Sequence, residues 1–399
     1  MTSHRTVSTR LFAGLAGVAL VAAACGGGGE DADTTTTTES STTTTEATTT
    51  TTEVTTTTAE STTTTEPAEP EPLRQPLTGE IVESEDDLVA RPALAVKIDN
   101  APPARRNHSG LAVADLVFEE KVEGDLTRFA AVFHTRDADP IGPIRSGRSQ
   151  DVDLLSSLNE PLFAWSGGNP GVTRLIGASF LTDLNAQNTP GYYRGPGSAP
   201  HDLYSSSEAL YAQTPADHPG APEQQFAYLM PDEEFAGTGV DDVDLDIGGI
   251  DIQWTWDAEQ QAFLRAQEGS AHVDLAYGPI TSTNVVVMVV DYRPSAVDAR
   301  SPEAQTLGEG VVYVFSAGEV VEGRWARELA VGQIRLTTLD GEPIELTPGN
   351  TWVELVENDG SAEAPSASVT IRYAPGAEPP AAVPADSAPA GSVPTTDDA

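Results

Sequence analysis

The chain has 399 residues, of which 61 are acidic and only 21 basic, so its formal net charge is −40. A protein with so much negative charge is not expected to bind nucleic acid or anionic lipid through a general basic surface. Its one cysteine, Cys25, excludes a disulfide within the chain. Stability therefore has to come from packed cores.

The N-terminal residues 1–25 have the pattern of a lipoprotein signal peptide. Arg5 and Arg10 precede an apolar run from 11 to 24, and small residues lead directly to Cys25. The run is shorter than the roughly 20 residues that a membrane-spanning helix needs. We therefore predict that Cys25 is acylated and that the mature protein is extracytoplasmic, with the cell membrane as its partner through this lipid anchor. An ordinary secretory signal with an incidental cysteine is the alternative.

Two segments have too few apolar residues to fold. Residues 26–72 begin with glycines and continue as threonine runs punctuated by glutamate, which predicts a disordered tether. Residues 374–399 are rich in alanine and proline and are predicted to be a disordered tail. Folded structure is expected between them, in an N-terminal domain at 73–235 and a C-terminal domain at 240–373.

Mixed periodicity predicts an N-terminal domain of the α/β type. Residues 93–98 are a short apolar run that fits a buried strand, and 115–134 alternates around a Gly124-Asp125 turn as a hairpin does. A further strand is predicted at 162–165. Helices are predicted at 110–114 (with Ser109 as its cap), 146–158, 171–176 and 207–211.

The Gly/Asp-rich segment 236–249 interrupts these patterns and is predicted to be the domain boundary. Beyond it, strand signals dominate. The β-branched run 284–290 predicts a central strand, and Asp340-Gly341 between two apolar runs indicates a hairpin. The predicted fold class is therefore α+β, a mixed α/β domain followed by a mostly antiparallel β domain.

Residues 97–153 contain most of the polar residues that could form a functional site. Between 91 and 149, nine basic residues stand against eight acidic ones, in contrast to the acidic remainder of the chain. Many lie at predicted strand ends, turns or helix starts, where α/β folds gather binding residues. The residues that we predict to bind a ligand are Asp99, Asn100, Asp115, Glu119, Glu123, Arg128, Arg145, Ser146, Arg148 and His201.

Several kinds of chemistry are open to these side chains. Arg128, Arg145 and Arg148 could bind a carboxylate or phosphate through forked guanidinium groups, or could form a structural ion-pair network with nearby acids. Neighbouring carboxylates could divide acid and base roles, or hold a divalent cation. Glu123 and His201 are the candidates for a catalytic acid or base.

Other mechanisms find no support in the sequence. The histidine spacing matches no zinc signature. Ser166-Gly167-Gly168 is not a nucleophile elbow, because the serine lacks a glycine on each side. With Cys25 acylated, thiol catalysis is excluded. No metal and no cofactor are predicted.

A set of short stretches runs in one order along the chain: Lys97-Ile98-Asp99-Asn100, Ser109-Gly110-Leu111, Ala114-Asp115, Val122-Glu123-Gly124, Thr127-Arg128, Gly142-Pro143-Ile144-Arg145-Ser146 with Arg148, Pro200-His201, and Leu203-Tyr204. Further along come Arg265, His272, Asp274, Asn284-Val285, Gly349 and Thr351-Trp352. With these motifs, residues 75–373 resemble the YerB-like bacterial lipoproteins. Asp125 and Asp202 differ from the family pattern, which has glycine and asparagine there. The resemblance implies two domains and a cell-envelope location, but no reaction.

Three functions remain open at this point. The first is a membrane-anchored envelope protein whose N-terminal domain binds a polar or anionic small molecule, an envelope glycan or an envelope protein. The second is an envelope hydrolase or transferase that uses carboxylate and histidine acid–base chemistry. The third is a non-catalytic structural scaffold. Whether the protein is an enzyme is left undecided by the sequence.

Overall fold

The computed structural model describes residues 71–360 and 368–379, in which strands predominate. The strands of the first part are β1 (Leu94–Asp99), β2 (Leu116–Val122), β3 (Leu126–Phe133), β4 (Leu162–Trp165), β5 (Thr182–Asn185), β6 (Tyr193–Arg194) and β7 (Leu203–Tyr204). Those of the second part are β8 (Thr238–Ile247), β9 (Ile250–Asp257), β10 (Ala262–Gln267), β11 (Ser270–Ala271), β12 (Val273–Asp274), β13 (Gly278–Pro279), β14 (Thr281–Ser282), β15 (Asn284–Val290), β16 (Tyr292–Pro294), β17 (Pro302–Ala304), β18 (Gly308–Ser316), β19 (Glu319–Arg327), β20 (Arg335–Thr338), β21 (Thr351–Glu357) and β22 (Val369–Tyr373).

The helices of the described ranges are short. They are α1 (Gln150–Leu155), α2 (Pro170–Gly177) and α3 (Ser207–Tyr211), with 3₁₀ turns at Glu85–Asp87, Arg105–Asn107, Leu111–Val113 and Ser156–Leu158. None of them is long and apolar enough to cross a membrane. The predicted signal peptide, Cys25 and most of the predicted tether and tail lie outside the described residues.

One large mixed sheet joins the two predicted domains. Its main path runs β11-β10-β9-β8-β19-β18-β15-β21-β2-β3-β1-β4-β5. Strand β21, from the C-terminal part of the chain, pairs in parallel with β15 on one side and with β2 on the other. Strands β1, β4 and β5 are also parallel neighbours, whereas most other pairs are antiparallel. The predicted α+β class is therefore supported, but the helical content is lower than the predicted α/β domain requires.

Both faces of the sheet are covered by apolar side chains. One face packs Phe129 with Trp254 and Trp352. The other packs Phe163 and Trp165 against the helices. Strand β1 is buried on both faces along its whole length, as strands within such a layered sheet are. Polar residues on these strands therefore have to find partners inside the protein.

The parallel strands β1 and β4 separate at their carboxyl ends. They are paired only as far as Val96 and Ala164. Beyond that point the main chain of Arg145 lies between them: its amide donates to the carbonyl of Lys97 (2.8 Å), and its carbonyl accepts from the amide of Ser166 (2.9 Å). The segment that carries Arg145 is therefore held at the carboxyl edge of the sheet, where α/β folds place ligands.

Most predicted elements are confirmed, with three corrections. The helix predicted at 146–158 begins only at Gln150, because Arg145 continues the ladder between two strands instead of turning into a helix. Residues 110–114 form one 3₁₀ turn without a side-chain cap from Ser109. The segment 236–249, whose composition was expected to interrupt the strand pattern, contains β8, whose buried Val240, Val243 and Leu245 belong to a shared core.

Candidate functional site

Seven of the predicted site residues come together at the carboxyl end of β1. We call this group the candidate anion site. It brings together side chains from the end of β1, the β2–β3 turn, the start of β3, the segment before α1 and the loop before β7. Its members are Asp99, Glu123, Arg128, Arg145, Ser146, Arg148 and His201.

Asp99 is the centre of the candidate anion site. Its carboxylate is almost fully buried, and Oδ2 accepts from Arg145 Nε at 3.2 Å and from His201 Nδ1 at 2.5 Å. Its Oδ1 accepts from the amide of Ala101 at 3.1 Å. Because a carboxylate can only accept, Nδ1 of His201 carries the proton of this hydrogen bond. No partner for Nε2 is found among the described residues.

Arg148 and Glu123 form a two-pronged ion pair beside Asp99. Arg148 Nε donates to Glu123 Oε2 at 2.8 Å, and Nη2 donates to Oε1. Burial raises the pKa of Glu123, but the hydrogen bonds and the charge of Arg148 outweigh it and lower that pKa to about 2. Glu123 is therefore ionised at neutral pH, and it serves as the partner of Arg148 and not as a proton donor.

Arg128 lies near the carboxylates of Glu123 and Asp99 but forms no ion pair with a described residue. Its Nη1 donates to the carbonyl of Ser146 at 2.9 Å, whereas its buried Nε has no hydrogen-bond partner. The side chain is 6% exposed, and no carboxylate oxygen of the described residues forms an ion pair with it. Burial, then the nearby charge of Arg148, lowers its pKa to about 10, so it stays cationic at neutral pH.

Gly147 lies in close contact with the core, between the predicted site residues Ser146 and Arg148. A Cβ atom at this position would lie 2.8 Å from Ile176 Cδ1 and 3.1 Å from Trp165 Cε3. A larger residue here would require Ile176 or Trp165 to move, so glycine lets the segment lie close to the core. This contact orients the main chain so that the carbonyls of residues 146 and 147 face Arg148.

A buried triad that the sequence analysis missed lies directly beneath. Lys97 Nζ contacts Asp151 Oδ1 at 2.7 Å and also Glu120 Oε1, and all three side chains are fully buried. Asp151 Oδ2 accepts from the amide of Arg148 at 2.6 Å, which ties the triad to the candidate anion site. Burial and the charge of Asp151 raise the pKa of Glu120 to about 7. The available signal was a lysine inside the apolar run of β1.

Asn100 and Glu119 belong to a different cluster, on the other face of the sheet. Asn100 Nδ2 donates to Thr127 Oγ1 at 2.7 Å and to Gln267 Oε1 at 3.1 Å. Glu119 is paired with Arg265, which also lies 3.9 Å from Glu354. Burial and the charge of Glu119 raise the pKa of Glu354 well above its ordinary value. Asn100 and Glu119 therefore have their partners within this cluster and lie outside the candidate anion site.

Two buried histidines connect this cluster to Asp99. Arg265 Nη1 lies 2.6 Å from His272 Nδ1, His272 Nε2 lies 2.7 Å from His108 Nδ1, and His108 Nε2 lies 2.6 Å from the carbonyl of Asp99. Arginine can only donate, so each neutral ring accepts at Nδ1 and donates from Nε2 along the chain. Burial lowers the pKa of His108 to about 4 and that of His272 well below its ordinary value, which favours neutral rings.

Asp115 lies apart from both clusters. It directly precedes β2, at the end of that strand away from the β2–β3 turn. Its Oδ2 accepts from the amides of His134 (2.5 Å) and Thr135 (2.8 Å), so it caps the turn after β3. Asp115 therefore has its partners in this turn and lies outside the candidate anion site.

A cavity borders the candidate anion site at Glu123. This cavity of about 310 Å³ is lined by Glu123, Tyr292 and Ser301 among others. Ser301 Oγ donates to Glu123 Oε2 at 3.1 Å, at the border between cavity and site. Within the described ranges, no group of three or more His, Cys, Asp or Glu side chains is placed to hold a metal ion.

Comparison with known proteins identifies relatives along most of the described chain. Residues 77–220 match the family model described as "Protein of unknown function (DUF3048) N-terminal domain", and 243–353 match its C-terminal counterpart. The chain is 27% identical over 297 residues to YerB of Bacillus subtilis (strain 168), which its name assigns provisionally to the lipoproteins. That match covers 71% of this chain and 86% of YerB.

The fold is also similar to that of a solved structure. The crystal structure of YerB from Bacillus subtilis superimposes with a TM-score of 0.63 at 23% sequence identity, over 75% of this chain and 99% of that one. The motifs, the two family models, the related sequence and the shared fold therefore all indicate the same family. The chain belongs to the YerB-like family, whose two domains have no assigned function.

Proposed function

We propose that the protein is an envelope lipoprotein whose candidate anion site binds a small anionic ligand. The observation that carries this proposal is Arg128, a buried guanidinium that forms no ion pair with a carboxylate of the described residues. Three guanidinium groups, of Arg128, Arg145 and Arg148, stand against the carboxylates of Asp99 and Glu123, so one positive charge is left over. An oxyanion at Arg128 supplies the charge-assisted hydrogen bonds that Nε lacks.

The chemistry of the ligand follows from the donors. Among the described residues Arg145 donates only from Nε, toward Asp99, which leaves its two terminal nitrogens for a ligand. Forked guanidinium donors fit phosphate and carboxylate oxygens alike. The class is therefore a phosphate- or carboxylate-bearing small molecule or the anionic group of an envelope glycan. Partial exposure of the Arg145 side chain (25%) keeps the site accessible.

Thermal unfolding with added anions tests the proposal. Inorganic phosphate, pyrophosphate and citrate are added to the protein, and Tm is compared with that in sodium chloride of equal ionic strength. A ligand that binds only the folded state, at 100 times its Kd, adds about 2.7 kcal/mol of stability. We expect Tm to rise for at least one anion in the wild type and not in Arg128→Met. Equal shifts in both proteins would count against the site and favour a structural scaffold.

The pairing of His201 with Asp99 supports a second candidate function. A buried carboxylate that orients the Nδ1 proton leaves Nε2 free to accept a proton from water or from a hydroxyl group. An acid–base hydrolase or transferase acting on a phosphate ester or an envelope glycan would use this arrangement. Turnover of a chromogenic phosphate ester or glycoside should be lost in His201→Gln, while anion-induced stabilisation remains. Absence of turnover in the wild type with both probes would favour binding alone.

The lipoprotein part of the proposal rests on sequence and on the relative. The signal-peptide pattern ends at Cys25, and YerB carries a lipoprotein name. Acylation of Cys25 would hold the protein at the outer face of the membrane. Ligands at the candidate anion site would then be molecules of the cell envelope.

A further inference from the structure

A second cleft is lined in part by the segment that follows β1. Its volume is about 470 Å³, within the range of sites that bind small molecules or peptide side chains. Arg105 and Arg106 line one wall, and Ala271, Val273 and Leu275 line the other. It shares no lining residue with the candidate anion site.

The charges of this cleft are favourable for an acidic ligand. Arg105 Nε donates to the carbonyl of Asn100 at 3.1 Å, and neither Arg105 nor Arg106 forms an ion pair with a described residue. One carboxylate, that of Glu268, also lines the cleft, and its Oε1 accepts from the amide of Asp251 at 3.2 Å. Two guanidinium groups therefore face one carboxylate. In a chain of net charge −40 such a surplus of positive charge is local and unusual.

One wall of the cleft is an open strand edge. Strand β11 is the last strand of the large sheet, with β10 on its inner side. Gln267 lies opposite Ser270, and the amide of His272 donates to the carbonyl of Arg265 at 2.9 Å. Hydrogen-bonded pairs alternate in an antiparallel ladder, so the amide and carbonyl of Ala271 between them point away from β10. They present one donor and one acceptor at the open edge.

Apolar side chains continue this wall. Val273 is 47% exposed and Leu275 is 57% exposed, although both are large hydrophobic residues. The amide of Leu275 donates to the carbonyl of His108 at 2.7 Å, so the strip is held in place beside Arg105 and Arg106. Exposed apolar side chains next to cationic groups are typical of surfaces that bind a partner with both kinds of group.

We propose that this cleft binds an extended peptide segment in which acidic residues alternate with apolar ones. The peptide main chain pairs with the amide and carbonyl of Ala271, which adds a strand to the sheet. Its carboxylates contact Arg105 and Arg106, and its apolar side chains cover Val273 and Leu275. A small inorganic anion would use the arginines but has no apolar side chain to cover Val273 and Leu275, which is why a peptide fits better.

Fluorescence anisotropy tests this proposal with a labelled peptide of alternating glutamate and valine. We expect saturable binding by the wild type and an affinity lower by about tenfold in Arg106→Glu, the loss that one charge-assisted contact produces. Arg106 is exposed, so its replacement should not change Tm. Arg335→Glu is the matched control, because Arg335 is exposed and pairs with Glu328 elsewhere. Equal affinities of the two charge-reversal variants would overturn the proposal.

Two further comparisons separate the peptide from other ligands. Ala271→Pro removes the outward amide, and proline is tolerated at open strand edges, so binding should weaken while the fold is kept. A peptide of alternating lysine and valine should not bind. If inorganic phosphate displaces the acidic peptide completely at equal concentration, the cleft is a simple anion site and the proposal is wrong. Arg145→Gln should bind the peptide as the wild type does, because the two sites are distinct.

Discussion

Asp99 and Arg128 lie directly opposite each other in the antiparallel β1–β3 pair, yet their side chains form no ion pair. The carboxylate of Asp99 is directed instead to Arg145 and His201. Arg128 reaches only the carbonyl of Ser146. A cation and an anion in register would normally pair, so their separate orientations leave a buried guanidinium that an external anion can neutralise.

Replacing Arg128 by methionine should abolish anion binding at little cost in stability. The change removes one hydrogen bond to Ser146 but also removes a buried charge without an acidic partner. We expect the free energy of unfolding to change by no more than about 1 kcal/mol. Chemical denaturation without phosphate measures this, and a loss of several kcal/mol would show that Arg128 is a structural residue.

Arg145 and Arg148 should differ in their effects on stability. Arg145→Gln loses one hydrogen bond from a partly exposed side chain, which is expected to cost about 1 kcal/mol. Arg148→Gln loses both contacts with Glu123 and a bond to the carbonyl of Gly147, for which we expect about 2–3 kcal/mol. Both variants should remain folded in calorimetry. The reverse order of stabilities would contradict the assigned contacts.

Glu120 should make the protein less stable as the pH rises toward neutrality. Its pKa is raised from 4.5 to about 7 in the folded protein by burial and by Asp151. Between these values the folded state holds a proton that the unfolded state has lost, so stability is present below pH 4.5 and is lost as the pH rises to about 7. Glu120→Gln, which mimics the protonated form, should therefore gain stability over the wild type across this interval. A pH-independent difference would mean that Glu120 is ionised throughout.

The two buried histidines should make the protein less stable as the pH falls, the opposite of the effect of Glu120. Burial lowers the pKa of His108 from 6.5 to about 4, so the unfolded state binds a proton first as the pH falls. The contribution of neutral His108 to the free energy of unfolding is fully present above pH 6.5 and decreases as the pH falls to about 4. His108→Gln should be less stable at neutral pH but should lose less stability on acidification. Urea unfolding at a series of pH values tests this, with Glu120→Gln as a control of opposite sign.

Cys25→Ser should release the protein from the membrane or leave an unprocessed precursor. The change removes the thiol that the signal-peptide pattern marks for acylation. Membrane fractionation and intact mass measurement of the mature protein check this expectation. Recovery of wild-type protein without a lipid from the culture medium would contradict the anchor.

The sequence alone was sufficient for elements whose signal is local. An apolar run bounded by polar residues predicted β1, a β-branched run predicted β15, and the Gly124-Asp125 turn predicted the β2–β3 hairpin. The concentration of basic residues between 91 and 149 likewise indicated the part of the chain in which Arg128, Arg145 and Arg148 lie. Each of these signals lies within a short window of the chain. The two-residue periodicity of a strand lets the strands be recognised from the sequence.

Only the tertiary structure decided which charge pairs with which. Glu119 and Glu120 are neighbours in β2 and point to opposite faces, where one meets Arg265, 146 residues away, and the other meets Lys97. Asp99 and Asn100 are divided in the same way between the candidate anion site and the Arg265 cluster. Such pairings depend on the order of strands in the sheet, and β21 from the C-terminal part lies beside β2. The sequence shows where charged residues lie along the chain. A buried charge needs a partner of opposite charge, and contacts between distant segments determine which residue that partner is.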